Sequence, residues 1–73
     1  MGKVVGTKQV IKAIRSDKTK EVFLALDTDE NLKDKILSEC NKNDVKINYI
    51  DTKKELGEQF GIGINAATAA ILI

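Results

Sequence analysis

The run Glu21-Val22-Phe23-Leu24-Ala25-Leu26 constrains this chain more than any other stretch. It is short, rich in apolar and β-branched residues, and hydrophobic at both alternating positions, the pattern of a strand covered on both sides. Such a strand belongs in the middle of a sheet, and the flanking segments must supply its cover.

Upstream, Val4 and Val5 predict a short strand that Gly6 breaks, and the Thr7 hydroxyl is placed to cap a helix over residues 8–16. At 100° per residue Val10, Ile11 and Ile14 share one arc, while Lys8, Lys12 and Arg15 share the opposite one. One face packs and the other is positive. Downstream, Asp27-Thr28-Asp29 offers cap chemistry for a helix over residues 30–42, with Leu32, Ile36, Leu37 and Cys40 inside an arc of roughly 140°. Residues 45–50 alternate as a strand near a sheet edge, with Val45, Ile47 and Tyr49 on one side. Thr52 and Glu55 read as a capping box for a short helix ending near Phe60, Gly61 stands where a left-handed cap is expected, and a last strand covers residues 68–73. Strands and helices therefore alternate. The expected fold is α/β, a three-layer α/β/α sandwich with a small mixed four-stranded sheet.

Length and composition narrow the function. Residues 1–73 make one domain with room for a single core and a stability of a few kcal/mol. Twelve Lys and Arg against eleven Asp and Glu leave a net charge of +1, so any nucleic-acid binding must come from local clustering. With no histidine and one cysteine, Cys40, a disulfide framework, a Cys/His zinc site and an imidazole base are all excluded. No apolar stretch matches a signal peptide or a membrane span, so a cytoplasmic protein without membrane association is expected. Asp27, Asp29 and Glu30 cluster where α/β folds bind ligands, yet carboxylates are ordinary caps at helix starts. The expectation is no enzyme, no cofactor and no metal.

The loop Gly61-Ile62-Gly63-Ile64-Asn65 sets two β-branched apolar side chains between permissive positions, either for the core or for contact with a flat partner surface. Just before it, Lys53-Lys54 sits at a helix start, where the macrodipole disfavours cations by a few tenths of a kcal/mol each. A phosphate backbone is one partner that would favour lysines there.

Taken together, Gly6-Thr7-Lys8-Gln9-Val10-x-Lys12-Ala13, Ala25-x-Asp27-x-Asp29 and Lys53-Lys54-x-Leu56-Gly57-x-x-x-Gly61-Ile62 resemble the ribosomal protein L-seven-Ae and L-thirty-e superfamily of kink-turn RNA binders, in particular its small bacterial members. The resemblance runs from about residue 4 to residue 73. It implies an RNA-binding surface made of Thr7, Lys8, Gln9, Lys12, Asp29, Lys53, Ile62, Gly63 and Ile64. In that family a helix start meets tandem sheared G·A pairs, which falls on Lys8 and Gln9, with Gln9 reading a guanine edge. Lys12 and Lys53 match lysines near the RNA, and Asp29 an acidic position that touches a flipped-out nucleotide in some relatives. The loop of Ile62, Gly63 and Ile64 matches one that lies over the kink, where unpaired bases offer their faces and edges.

Four positions depart from the pattern: Gln9 stands where relatives have Glu, Ser16 where they have Arg, Gly63 where some have an acidic residue, and Asn65 where others have Pro. The chain also starts close to Gly6 and stops at Ile73, which predicts one thinly covered sheet face. The resemblance implies a monomer that binds kink-turn-like RNA, ribosomal or otherwise structured, for ribosome or ribonucleoprotein assembly. The rival is a protein-interaction module that dimerises or docks a partner through Ile62 and Ile64, and a small-ligand site at Asp27 and Asp29 comes third.

Overall fold

The computed structural model describes residues 2–73. In chain order the elements are β1 (Lys3–Val5), α1 (Thr7–Arg15), β2 (Thr19–Ala25), α2 (Glu30–Lys42), β3 (Lys46–Ile50), α3 (Lys53–Gln59) and β4 (Thr68–Leu72). The sheet order is β1-β4-β2-β3. Strand β4 is antiparallel to both β1 and β2, and β2 is parallel to β3, so the sheet is mixed.

Alternation along β2 divides the core. Val22 and Leu24 pack with Val10, Ile14, Ile36 and Cys40 from α1 and α2. On the other side Ala25 packs with Leu56 of α3 and with Ala66 and Ala69, while Phe23, Ile50, Phe60 and Ile62 lean on that cluster. The fold is therefore the expected α/β/α sandwich, with α1 and α2 on one face and α3 on the other. Strand β4 can lie between β1 and β2 because Ala69 and Ala70, both fully buried, give each helical layer a small side chain to approach. Thr68, also fully buried, donates its hydroxyl to the Phe23 carbonyl at 2.7 Å, which satisfies it inside the sheet. Cys40 lies in the α1–α2 core as expected, and its burial, with a smaller effect from the Glu39 carboxylate, pushes the thiol up to about 11.

Several local features differ from the sequence reading. Gly6, not Thr7, is the N-cap of α1 and no side chain caps it; Thr7 is the first helical residue. Leu26 lies beyond β2 and is 45 % exposed. Tyr49 is 55 % exposed although Val45 and Ile47, on its side of the strand, pack on the first cluster, because β3 is an outer strand with no neighbour beyond it. At the C-terminus of α3 Gly61 is left-handed as expected, with φ of 66°. Its N–H donates to the Glu58 carbonyl and that of Ile62 to Gly57, the paired bonds of a Schellman cap. Helices α1 and α2 end in the same way around Asp17 and Asp44, whose positive φ carries a side-chain penalty that glycine escapes. Among the described residues no helix is long and apolar enough to cross a membrane.

Candidate nucleic-acid interface

Because β1 and β2 are both antiparallel to β4, and β3 is parallel to β2, three strands end at the same edge of the sheet. Each then opens into a helix, and the chain re-enters β4 from that edge. Topology alone thus brings together Thr7, Lys8 and Gln9, the segment from Leu26 to Asp29, Lys53, and the loop of residues 61–67.

Hydrogen bonds join these segments to one another. The Gly6 N–H donates to Thr68 at 3.0 Å, Ala25 to Ala67 at 2.9 Å, and Leu26 to Ile50 at 2.8 Å. The Lys53 N–H donates to the Asp27 carboxylate at 2.9 Å, and the Lys53 carbonyl accepts from Ala66 at 3.1 Å. The start of α3 is therefore held between the β2–α2 segment and the glycine loop.

The acidic cluster acts in capping. Asp27 reaches across to α3, Asp29 accepts from the Asn31 N–H at 3.1 Å at the start of α2, and Thr52 accepts from Glu55 at 3.1 Å. A carboxylate against the positive end of α3 also explains why Lys53 and Lys54 are tolerated there. Among the described residues no group of three or more His, Cys, Asp or Glu side chains is arranged to hold a metal ion.

The glycine loop folds back over α3, and Gly57 is the reason it can. A Cβ at Gly57 would stand 1.8 Å from the Ile64 carbonyl oxygen, so only glycine lets the loop backbone lie on the helix. The two isoleucines then separate. Ile62 follows the left-handed Gly61 and leans on the second core cluster, whereas Ile64 is 70 % exposed. Gly63 has φ of 72° and open space around it, so its need for glycine is conformational. Behind the loop a hollow of about 210 Å³ is lined by Lys54, Glu58, Gly63, Ile64 and Asn65. Ile64 and Leu26 are large apolar side chains left exposed at this edge.

On α1, Lys8 and Gln9 are both exposed but leave the helix about 100° apart. Lys8 lines a groove between α1 and α2, while Gln9 lines a hollow on the opposite flank beside Val4; Lys12 borders both. Arg15 lies at the far end of the helix and is engaged: its Nε and one Nη donate to the two oxygens of Glu39 at 3.1 and 3.2 Å. The hydrogen bond from Arg15 holds the Glu39 carboxyl below its ordinary range, and the same bond raises the guanidinium.

Sequence reasoning did not anticipate Asp27 as a remote cap, Glu39 as the partner of Arg15, or Lys35 on the groove. These are contacts between segments far apart in sequence. For Gly57 a signal existed, since an isolated glycine inside a helical pattern marks a close approach.

The model of the ribosomal protein L7Ae/L30e/S12e/Gadd45 family matches residues 2–73. An RNA-binding protein of Caldanaerobacter subterraneus is 46 % identical over 71 residues, which span 97 % of this chain and 87 % of that protein. One from Geobacillus thermodenitrificans is 39 % identical over 69 residues, 94 % of this chain and 84 % of the relative. Among solved structures, the 15.5kD RNA binding protein of Giardia lamblia superposes with a TM-score of 0.89 at 21 % identity, over 97 % of this chain and 60 % of that one. A Bacillus halodurans protein of unknown function superposes with a TM-score of 0.87 at 22 % identity, over 94 % of this chain and 69 % of that one. At such identity the two structures establish a shared fold.

Proposed function

Since the chain belongs to the ribosomal protein L7Ae/L30e/S12e/Gadd45 family, we propose that it is a non-enzymatic RNA-binding protein that holds a sharply bent internal loop with tandem G·A pairs, as in a kink-turn. The observation that carries this reading is the convergence of the α1 start, the α3 start and the Ile64 loop at one edge of the sheet.

In this reading Ile64 and the backbone at Gly63 lie against unstacked bases, and Gln9 bonds a guanine edge with its amide. Lys8, Lys12 and Lys53 meet phosphates, with Thr7 at the helix entry. Asp29 retains its cap and faces an extruded nucleotide, and Ile62 supports the loop from beneath. The protein binds the bent RNA better than the extended one and shifts the RNA population by that difference. Residues 1–73 act as one unit, as a cytoplasmic monomer, in ribosome or ribonucleoprotein assembly.

Titration of a labelled kink-turn RNA and an A-form duplex of equal length tests the reading. The kink-turn is expected to bind more tightly, and equal affinity for both overturns it. Gln9→Ala is expected to reduce that preference by about 1–3 kcal/mol, the range for a lost bidentate base contact. Lys12→Ala weakens both RNAs alike. The rival use of the loop as a dimer contact has less apolar surface to offer, because Ile62 leans inward. A concentration series in the ultracentrifuge that finds a tight dimer, broken by Ile64→Ala, would favour the rival.

A further inference from the structure

The groove between α1 and α2 is separate from the glycine loop. It holds about 360 Å³ and is lined by Lys8, Ile11, Lys12, Arg15, Ser16 and Lys35. Four of these six residues are cations and none is acidic. In a chain whose net charge is only +1, that is a strong local concentration of one sign.

The charge faces outward, since Lys8, Lys12, Arg15 and Lys35 are all exposed. Both helices begin at the same edge of the sheet, since each follows a strand that ends there, so the Lys8 end of the groove lies at the edge that carries the loop. Lys12 and Lys35 then stand at the same depth from their helix starts, Thr7 and Glu30, one on each wall. The nearby Glu39 is turned toward its own partners, with Arg15 at 3.1 Å and Lys42 at 4.0 Å, and its side chain is only 9 % exposed. Arg15 spends two of its five donors on Glu39 and keeps its side chain 63 % exposed.

We propose that this groove holds the phosphodiester backbone of a double-stranded RNA stem that flanks the bent loop, with Lys35 on α2 and Lys12 on α1 gripping it from the two sides. The proposal rests on the reading that the adjoining edge binds RNA, and extends its phosphate contacts from Lys8 and Lys12 across the groove to Lys35, as a surface that recognises backbone charge rather than sequence. Lysine suits that task, because a mobile point charge follows a phosphate chain without demanding one geometry. Glu39 holds Arg15 at the far end of the groove through two hydrogen bonds.

Three RNAs distinguish the two surfaces: a kink-turn with long flanking stems, the same kink-turn with its stems cut to a few pairs, and a plain A-form duplex. Lys35→Gln removes one exposed cation from the groove, and Lys20→Gln removes one outside it. At low salt Lys35→Gln is expected to weaken the long-stem RNA and the duplex by about three- to tenfold and to lower the slope of log affinity against log salt by about one. The short-stem RNA keeps its affinity, and Lys20→Gln changes none of the three by a comparable amount. The proposal is overturned if Lys35→Gln has no effect, if it weakens all three RNAs equally, if Lys20→Gln does the same, or if the unaltered protein does not bind the duplex at low salt. Equal affinity of the unaltered protein for kink-turn and duplex would instead overturn the kink reading, while the response of duplex binding to Lys35→Gln still decides the groove.

Discussion

The two faces of the sheet are built by different means. Under α1 and α2 the core is made of large aliphatic side chains, with Ile14, Leu24 and Ile36 fully buried. Under α3, a helix of 7 residues, the buried set is Ala25, Leu56, Ala66 and Ala69, with Phe23, Ile50, Phe60 and Ile62 only partly buried against it, and backbone contacts complete the layer: a loop lying on Gly57, a Schellman cap, the Lys53 N–H donating to Asp27, and the Ala66 N–H donating to the Lys53 carbonyl. The first face rests on fully buried aliphatic area, whereas the second, with smaller buried side chains, depends more on fit and hydrogen bonds. Area resists small displacements in every direction, whereas a hydrogen-bonded loop holds one geometry and is lost when that geometry shifts. The candidate binding loop belongs to the second kind.

The strongest way to break this comparison is on the aliphatic side. Ile36→Ala should lower stability by about 2–5 kcal/mol, the range for such a truncation in a core, and this small fold should then be close to unfolding at ambient temperature. Urea titration followed by circular dichroism measures it, and a loss below about 1 kcal/mol would mean that the α1–α2 face does not dominate stability.

Gly57→Ala addresses the other face. The added methyl cannot coexist with the Ile64 carbonyl, so the loop must lift. We expect a smaller stability loss, about 1–3 kcal/mol, together with faster hydrogen exchange at the Ala66 amide and weaker RNA binding. If RNA affinity is unchanged while the loop moves, Ile64 is not part of the interface.

The smallest effect belongs to the pair that ties α1 to α2. The Arg15 hydrogen bond holds the Glu39 carboxyl below its unfolded value, so the associated stability is fully present above that value and is lost as the pH falls through the folded one. Wild type and Glu39→Gln should therefore differ most near neutral pH and converge below the ordinary glutamate value of about 4.3. Urea midpoints across that range test it. A constant gap would mean that the charge of Glu39 contributes nothing.

Much of the fold was legible because it rests on short-range patterns. The apolar arc of Val10, Ile11 and Ile14 marked the packed face of α1, the Thr52 and Glu55 spacing marked the start of α3, and Gly61 marked its end. The candidate site was legible in part. The segments that form it were all singled out, but the Lys8 and Gln9 pair divides onto two flanks, and Ile62 leans inward while Ile64 stays out. Neither division could be read from spacing, because each depends on what lies beside the residue once the layers have closed.

By itself the sequence determined the number and kind of elements and the covered central strand, since hydrophobic period, capping residues and glycine positions act within a turn or two of the chain. Tertiary structure alone decided that β4 lies between β1 and β2, that Asp27 caps α3, that Glu39 engages Arg15, and that Lys35 comes to face Lys12 across a groove. These depend on which surfaces meet after folding. Side chains distant along the chain acquire a distance, a charge environment and a role only when the sheet brings their helices to one edge.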